Sequence, residues 1–496
     1  MPNYDRLTAL DSSFLHMERL ETPMHVGALS VYEGGAFFDD EGRFQLAQAR
    51  ELVASRLHLI PRFRKRLMHV PFEMGRPIWI DDDRFDIAYH VRLTALPTPG
   101  TRAQLITLAE RVASGMLDRS RPLWELWFVE GLEDGHVGLI QKTHHALVDG
   151  VSGVDVATVL LDFTPEPTVL DAPPWTPAPA PSPEELLVDT VIERVTEPTE
   201  ILRSVRRTVR GPRRAFDQAR HLARSMSTLV DRNAFAPRTS LNERVGRNRR
   251  FETVRVSLDD VKAIRTKLGG TVNDVVLAGI GGGLAQLLEH RGELHAGLRL
   301  KAMIPVSVRN DSEHMQLGNR VSAMFVPLEV GERDPLLRLD AVRAATKNLK
   351  EKEQAVGAAF LSDLTQFAAP TLLGLAGRLA HHQPFFNLVI TNVPGPQVPL
   401  YCMGGRMLEA YPIVPLTRNL SVVVGILSYC GQLHIGLFAD RDAWPDLDVL
   451  ARGVEDAFAE LDKIAAARAV RTSEPDHAPT SSSASEGAMR GADDDR

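Results

Sequence analysis

A run of prolines divides this 496-residue sequence into two parts. Residues 164–183 contain eight prolines in twenty positions. Proline has no backbone N–H to donate and its ring fixes φ, so a run of this density is excluded from helix interiors and from central strands. We therefore expect a semi-rigid, extended linker here, with one folded unit before it and a second unit after it.

Both flanking units carry mixed helix and strand patterns. In residues 1–163, Leu105 and Val112 lie on one side of a predicted helix, and residues 136–143 form an apolar run typical of a strand. Residues 251–470 repeat this alternation, which predicts a second α/β unit of similar size. The main elements predicted there are helices at 258–268 and 271–288 and strands at 386–392, 420–428 and 432–439, the last two forming a hairpin. The polar, low-complexity residues 471–496 are expected to be disordered.

Charge and cysteine content exclude several classes of protein. There are 57 Lys and Arg residues against 64 Asp and Glu residues, a formal net charge of −7, whereas nucleic-acid binding through phosphate neutralisation favours basic proteins. The only two cysteines, Cys402 and Cys430, form no CxxC pair, which argues against a zinc ribbon and a disulfide scaffold. We therefore expect no nucleic-acid partner, and a cytoplasmic location.

Between the linker and the second unit lies an arginine-rich segment, which completes a connecting region at residues 164–250. Residues 201–250 hold fourteen arginines, no lysine and three acids, so their local charge is +14 − 3 = +11. Apolar residues recur at near-helical spacing from Val205 to Leu229. Two interpretations stay open: a basic amphipathic helix that lies on an anionic lipid surface, or a solvated helical linker packed on an acidic domain. No stretch has the ~18 apolar residues of a spanning helix, so any membrane contact is expected to be peripheral.

The sharpest local feature is the heptapeptide HHALVDG, residues 144–150, at a predicted strand end before a predicted helix. One of its histidines could act as a general base. Alternatively, both histidines and Asp149 could bind a metal, or all three could be structural polar residues of a loop. A metal needs three or four converging ligands, and adjacent residues of an extended segment point to opposite sides. The position of His144 and His145 therefore favours the base, and we expect no metal.

The rest of the sequence constrains what such a base would act on. A GxSxG elbow and a GxxxxGK[ST] loop are both absent from the sequence, which argues against a serine hydrolase and against P-loop phosphate chemistry. The glycines of residues 279–283 lie inside an apolar helical run, so we interpret them as close helix packing and not as a dinucleotide site. A lone His base suits direct attack by a hydroxyl or an amine on an already activated acyl group.

The HHALVDG heptapeptide resembles the HHxxxDG active-site motif of the CoA-dependent acyltransferase superfamily. Over residues 7–466 the chain resembles, more narrowly, the bacterial wax ester synthase/diacylglycerol acyltransferase family. The segments that carry this resemblance, in order, are LDSSF at 10–14, PMHVG at 23–27, RPLW at 121–124, NDVVLA at 273–278, MIPVSVR at 303–309, LGN at 317–319 and TNVPGP at 391–396.

The resemblance implies an α/β fold of two chloramphenicol-acetyltransferase-like halves with a substrate tunnel between them. It implies that His145 is the proton acceptor, that His144 supports the site and that Asp149 is structural. The donor would be acyl-CoA as a substrate, with no resident cofactor, and the acceptor a diacylglycerol or a long-chain alcohol. The enzyme would lie peripherally on the inner membrane or on lipid droplets.

Four further residues become candidates for substrate binding through the resemblance: Asn273, Thr391, Asn392 and Trp124. Each has a structural alternative. Trp124 could be a core residue at a turn, and Asn273 could be the N-cap of the helix that follows. Thr391 and Asn392 could line the tunnel or stabilise an oxyanion.

Two alternative functions remain. The first is an acyltransferase that takes its acyl group from a carrier protein or acylates another alcohol or an amine. The second is a non-catalytic protein of the lipid-droplet surface on the same fold, against which the intact HHxxxDG motif argues.

Overall fold

The computed structural model describes residues 4–73, 75–148, 160–196, 235–307, 321–349 and 384–473. Within these ranges the strands form three sheets. The strands are β1 (Asp5–Arg6), β2 (His25–Tyr32), β3 (Lys65–Met68), β4 (Ile78–Asp81), β5 (Val91–Ala95), β6 (Trp124–Glu130), β7 (Val137–His144), β8 (Arg249–Ser257), β9 (Leu300–Ser307), β10 (Val321–Leu328), β11 (Leu388–Pro394), β12 (Tyr401–Cys402), β13 (Gly405–Ile413), β14 (Val422–Tyr429) and β15 (Gln432–Asp440). The helices are α1 (Ala9–Met17), α2 (Leu46–Arg56), α3 (Ile87–His90), α4 (Arg102–Ser114), α5 (Pro183–Thr196), α6 (Leu258–Leu268), α7 (Val272–His290), α8 (335–349) and α9 (Leu447–Ser473).

The first sheet has six strands in the order β12-β13-β2-β7-β6-β5. Strands β5 and β6 run parallel, and the other neighbours run antiparallel. The register of β2 against β7 pairs His25 with His144 at one end and Tyr32 with Val137 at the other. The last histidine of β7 therefore lies beside the first residue of β2, at one end of the sheet.

The second sheet has six strands in the order β10-β9-β11-β14-β15-β8. Its central strand β11 runs parallel to both β9 and β14. Strands β14 and β15 form a hairpin whose two-residue turn is Cys430-Gly431, with φ of 43° and 76°. Positive φ at both central residues is the requirement of a type I′ turn, whose twist matches that of the strands. The predicted hairpin is confirmed.

Helix α6 shows why these segments fold where the sequence predicted. Ser257 caps its first turn by accepting a hydrogen bond from the Asp260 N–H at 3.1 Å. Acids in the first turn and basic residues in the last turn complement the helix dipole. Gly269, with φ of 87°, ends the helix in the left-handed region that glycine adopts without strain.

The two sequence units do not map one to one onto the two large sheets. Strand β13 follows the linker in sequence, yet it pairs with β2 of the first sheet, placing Tyr411 opposite Leu29. One apolar cluster joins both sheets, with Ile140 of the first packing in the same core as Phe251 and Phe438 of the second. The boundary at residue 251 therefore divides the sequence but not the structure, because the first sheet includes a strand from the second unit and the two sheets share a core.

The glycine-rich run in α7 packs against α9, as predicted. A Cβ at Gly283 would lie 2.5 Å from a methyl carbon of Val454 and 2.7 Å from the Val454 backbone nitrogen. A Cβ at Gly282 would lie 2.6 Å from the Cβ of Ala457. These distances leave no room for a methyl group, so the glycines let the two helices approach closely.

The structure corrects some of the predicted elements, and other predicted elements lie outside the described residues. Helix α9 continues to Ser473, so the prediction of disorder is wrong for residues 471–473, and residues 474–496 lie outside the described residues. Helix α5 was not predicted. It begins at Pro183, a residue suited to the first helical position because its missing N–H has no partner there anyway. The helix predicted directly after the HHALVDG motif lies almost entirely outside the described residues, and the helical spacing at residues 205–229 lies wholly outside them.

Among the described residues, no single helix combines the length and the apolar character needed to cross a membrane. Helices α6 and α7 meet that criterion only as a pair bent by 102°.

The packing of α7 on α9 predicts the outcome of a matched pair of substitutions. Gly283→Ala forces a methyl group against the backbone of α9, and overpacking of this kind costs about 1–3 kcal/mol. Gly281→Ala is the control, because its nearest neighbour is the flexible side chain of Arg338 at 3.6 Å. Chemical denaturation should show a lower free energy of unfolding for Gly283→Ala only. Equal stability of the two variants would contradict the packing argument.

Candidate active site

The candidate site lies where β7 ends beside β2. The His144 N–H donates to the Leu123 carbonyl at 2.9 Å, and the His145 N–H donates to the Met24 carbonyl at 2.8 Å. Two backbone hydrogen bonds to different segments therefore fix the chain at the histidine pair. The third motif residue proposed for the site, Asp149, lies outside the described residues.

The two histidines lie in different environments. His144 is buried, with 1% of its surface exposed, whereas His145 is half-buried. The Nδ1 atom of His144 accepts a hydrogen bond from the Ala146 N–H at 3.0 Å. A ring nitrogen that accepts carries no proton, so neutral His144 is protonated on Nε2. That Nε2 lies 3.4 Å from the Oε1 atom of Glu18.

The carboxylate of Glu18 is the centre of a buried polar cluster. Its side chain is 1% exposed, and its Oε1 accepts from the Met24 N–H at 3.1 Å and lies 3.2 Å from Nε2 of His25. Its Oε2 accepts from the Arg119 guanidinium at 2.7 Å. Burial raises the pKa of Glu18. The contacts with His144 and His25 together lower it by more than burial raises it, so the pKa of Glu18 is well below its usual range. Glu18 is therefore a charged carboxylate that accepts hydrogen bonds from the Met24 N–H and the Arg119 guanidinium and lies beside two imidazoles.

His25 completes this cluster from β2. Burial lowers its pKa to about 4, against an opposing contribution from Glu18. His25 is therefore neutral near pH 7, and its ring packs edge-on to that of His144 with 5.8 Å between centroids. The cluster consequently contains the Glu18 carboxylate, the Arg119 guanidinium and the neutral imidazole of His25.

The side chain of His145 stacks on an aromatic ring. Its imidazole lies 4.0 Å from the Phe14 ring, centroid to centroid, with 17° between the planes. A half-buried imidazole at a strand end has the chemistry of a general base near neutral pH. The role of His145 as proton acceptor stays a prediction.

The structure brings together two of the predicted substrate-binding residues from distant parts of the sequence. The side-chain amide of Asn392, on β11, donates to the side-chain oxygen of Asn273, on α7, at 3.4 Å. Thr391 precedes Asn392 on the same strand, so the two side chains point to opposite faces. The predicted N-cap role of Asn273 is wrong. Thr271 is the N-cap, and its side chain accepts from the Asp274 N–H in a reciprocal capping box.

Trp124, the fourth predicted substrate-binding residue, lies in the core at the start of β6. It is 1% exposed, and its indole N–H donates to the Phe63 carbonyl at 2.8 Å. Its ring stacks on His90 with 4.4 Å between centroids. These contacts favour the structural alternative for Trp124.

Four residues of the candidate site were missed by the sequence analysis: Phe14, Glu18, His25 and Arg119. One signal was available. Phe14 and Glu18 are four residues apart, which places them on one side of a helix. An acid at the C-terminal end of a helix also opposes the helix dipole, which points to a specific partner. Among the described residues, no group of three or more His, Cys, Asp and Glu side chains is placed to hold a metal ion.

Two protein-family models match this chain. Residues 7–276 match the wax ester synthase/diacylglycerol acyltransferase catalytic domain, and residues 317–462 match the WS/DGAT C-terminal domain. A Mycobacterium tuberculosis protein named as a probable diacylglycerol O-acyltransferase, tgs1, is 34% identical over 470 residues, covering 94% of this chain and 97% of that one. A second M. tuberculosis protein with a diacylglycerol O-acyltransferase name is 33% identical over 477 residues, covering 92% and 90%.

Solved structures show the same architecture. The wax ester synthase/diacylglycerol acyltransferase from Marinobacter aquaeolei VT8 superposes with a TM-score of 0.66 at 27% identity, covering 93% of this chain and all of that one. The starter condensation domain of rhizomide synthetase superposes with a TM-score of 0.56 at 13% identity, over 94% and 95% of the two chains. At that identity the second match shows the fold alone, and the predicted two-lobed α/β fold is confirmed.

The cluster around Glu18 predicts a large stability effect from a small change. Glu18→Gln keeps the volume and removes the charge that Arg119 and the histidines face, and breaking a buried ion pair costs about 3 kcal/mol or more. Because Arg119 is 37% exposed, we expect a loss of about 2 kcal/mol in the free energy of unfolding. Glu21→Gln is the control, since Glu21 is 41% exposed and 3.6 Å from Arg247. Equal denaturation midpoints for the two variants would show that the cluster contributes no stability.

Proposed function

This chain belongs to the wax ester synthase/diacylglycerol acyltransferase family, and we propose that it moves a long-chain acyl group from acyl-CoA to diacylglycerol or a long-chain alcohol with His145 as general base. The family makes the protein an acyltransferase. One observation carries the finer proposal: His145 is half-buried at a strand end that two backbone hydrogen bonds and a buried carboxylate hold in place.

The proposed reaction needs no acyl-enzyme, because a thioester is already an activated acyl donor. The acceptor hydroxyl oxygen attacks the thioester carbonyl carbon while its proton passes to the imidazole of His145. A C–O bond forms, and the carbonyl π electrons move onto the oxygen of a tetrahedral intermediate. When this collapses, the C–S bond breaks and the thiolate takes the proton from the imidazolium. The products are an ester and CoA, and His145 is again neutral.

Base catalysis of this kind contributes about 10²–10⁴-fold to the rate, so alignment and oxyanion stabilisation must supply the rest. Asn392 is our candidate donor to the oxyanion. A side-chain amide has two N–H donors, and the bond to Asn273 uses one of them. The second N–H is the one that we assign to the developing negative charge.

The acceptors also bear on where the enzyme works. Long-chain diacylglycerols and alcohols are nearly insoluble, so they must be drawn from a membrane or a lipid droplet. Residues 201–250 carry a net charge of +11, which attracts a peripheral protein to an anionic lipid surface. We therefore propose peripheral attachment on the cytoplasmic side, through this segment.

Removal of the base tests the mechanism. His145→Ala should lower kcat for thiol release from long-chain acyl-CoA, in the presence of diacylglycerol, by about 10²–10⁴-fold with the fold intact. His144→Ala should cost less activity, because His144 acts only by supporting the strand end. His295→Ala, at an exposed position, is the control. Turnover near the wild-type rate in a folded His145→Ala variant would sink the mechanism.

Neutralising arginines tests the attachment. Six substitutions to Gln, at Arg203, Arg206, Arg207, Arg210, Arg213 and Arg214, should release the protein from anionic vesicles and raise KM for vesicle-borne diacylglycerol. Each arginine near such a surface is worth at most about 1 kcal/mol, and salt screens that attraction. Turnover of a short, soluble alcohol should barely change.

Three exposed arginines outside the segment serve as the matched control: Arg43, Arg299 and Arg333. Their neutralisation should leave vesicle binding in place. Vesicle binding that survives the six substitutions, or that resists high salt, would make residues 201–250 a linker instead.

A further inference from the structure

The last turn of α1 contacts both histidines of the motif. Phe14 stacks on the imidazole of His145, while Glu18, which follows the helix, reaches His144 with its carboxylate. The Glu18 N–H donates to the Phe14 carbonyl at 3.0 Å, so the two residues belong to one hydrogen-bonded turn. The role of Glu18 is a buried ion pair, but the proposed mechanism gives Phe14 no role.

The position of this turn is fixed from both sides. At the start of α1, the Thr8 side chain accepts from the Asp11 N–H at 3.1 Å and caps the helix. At its end, the Arg119 guanidinium donates to the Leu15 carbonyl at 3.1 Å as well as to Glu18. Leu15 itself is buried, with 6% of its surface exposed. The Phe14 ring is therefore presented from a rigid support.

Stacking of this geometry constrains the imidazole without blocking it. The ring nitrogens of histidine bond within the ring plane, whereas Phe14 covers one face at 4.0 Å and 17°. Rotation about the Cβ–Cγ bond of His145 would drive the imidazole edge into the phenyl ring. The contact thus selects one ring plane, and the phenyl ring does not lie in the directions in which the imidazole nitrogens form hydrogen bonds.

We propose that Phe14 is a positioning residue that holds the ring plane of His145 and stabilises its protonated form through the aromatic face. The inference rests on the proposed role of His145 as general base. An imidazolium over a phenyl face gains cation–π attraction that neutral imidazole lacks. Because His145 becomes charged only as the acceptor loses its proton, this attraction strengthens towards the transition state. Such an interaction raises kcat and leaves substrate affinity unchanged.

The test separates aromatic character from bulk. Phe14→Leu should lower kcat about tenfold, a change that corresponds to 1.36 kcal/mol, and should leave KM for acyl-CoA and for diacylglycerol within about twofold because only the transition state is affected. Phe14→Tyr keeps the ring face and should restore most of the lost kcat. Phe44→Leu, which removes a different stacked aromatic ring 5.8 Å from Phe37, is the control and should retain the wild-type kcat.

A spectroscopic readout reports the contact independently of turnover. The Cε1 proton of His145 belongs to a ring that stacks on Phe14, so the phenyl ring current shifts its NMR signal upfield. The signal can be assigned by its loss in His145→Gln. It should move downfield in Phe14→Leu and stay near its wild-type position in Phe14→Tyr. Phe14→Met replaces the leucine variant if that protein does not fold.

An unchanged kcat in Phe14→Leu, equal impairment of the leucine and tyrosine variants, or an unmoved His145 signal would each overturn the proposal. Failure of the base mechanism itself would be recognised separately, by a folded His145→Ala variant that still turns over.

Discussion

The ion cluster around the buried carboxylate of Glu18 is the interaction on which the candidate site depends. A charge taken out of water costs several kcal/mol unless it is fully compensated. Here the compensation comes from Arg119, from the Met24 N–H and from the imidazoles of His25 and His144, which lie on three different segments of the chain. Each segment supplies part of the compensation, so the displacement of any one of them would leave the carboxylate less well paired.

The two adjacent histidines of the motif differ in the residues that they contact. His144 is the last residue of β7 and contacts the buried cluster, whereas His145 is the first residue of the turn that follows and packs on Phe14. His144 has its Nδ1 engaged by Ala146 and its Nε2 directed at the carboxylate. His145 is held by Phe14 and by the Met24 carbonyl, and in the proposed mechanism it is the histidine that meets the substrate. In the proposed mechanism, the first histidine of the pair is thus anchored and the second is the base.

Local patterns in the sequence predict local structure well here. The bounds of α6, the β14–β15 hairpin, the glycine packing of α7 and the strand that ends at the histidine pair all follow from periodicity and turn residues. The contacts that build the site do not, because they join residues far apart in sequence. Glu18 contacts Arg119 and His144, which lie on later segments of the chain. Strand β13 pairs with β2, which lies about 380 residues earlier in the sequence. Periodicity carries no information about which distant segment covers a buried charge.

The central claim is that the acceptor hydroxyl is deprotonated by His145, and a crystal structure with bound ligands tests it most directly. A thioether analogue of a long-chain acyl-CoA, which cannot transfer its chain, would be bound together with a long-chain alcohol. The account predicts that the hydroxyl oxygen lies about 3 Å from a ring nitrogen of His145, with the imidazole still stacked on Phe14. A hydroxyl held by another side chain, with His145 directed away from it, would contradict the account.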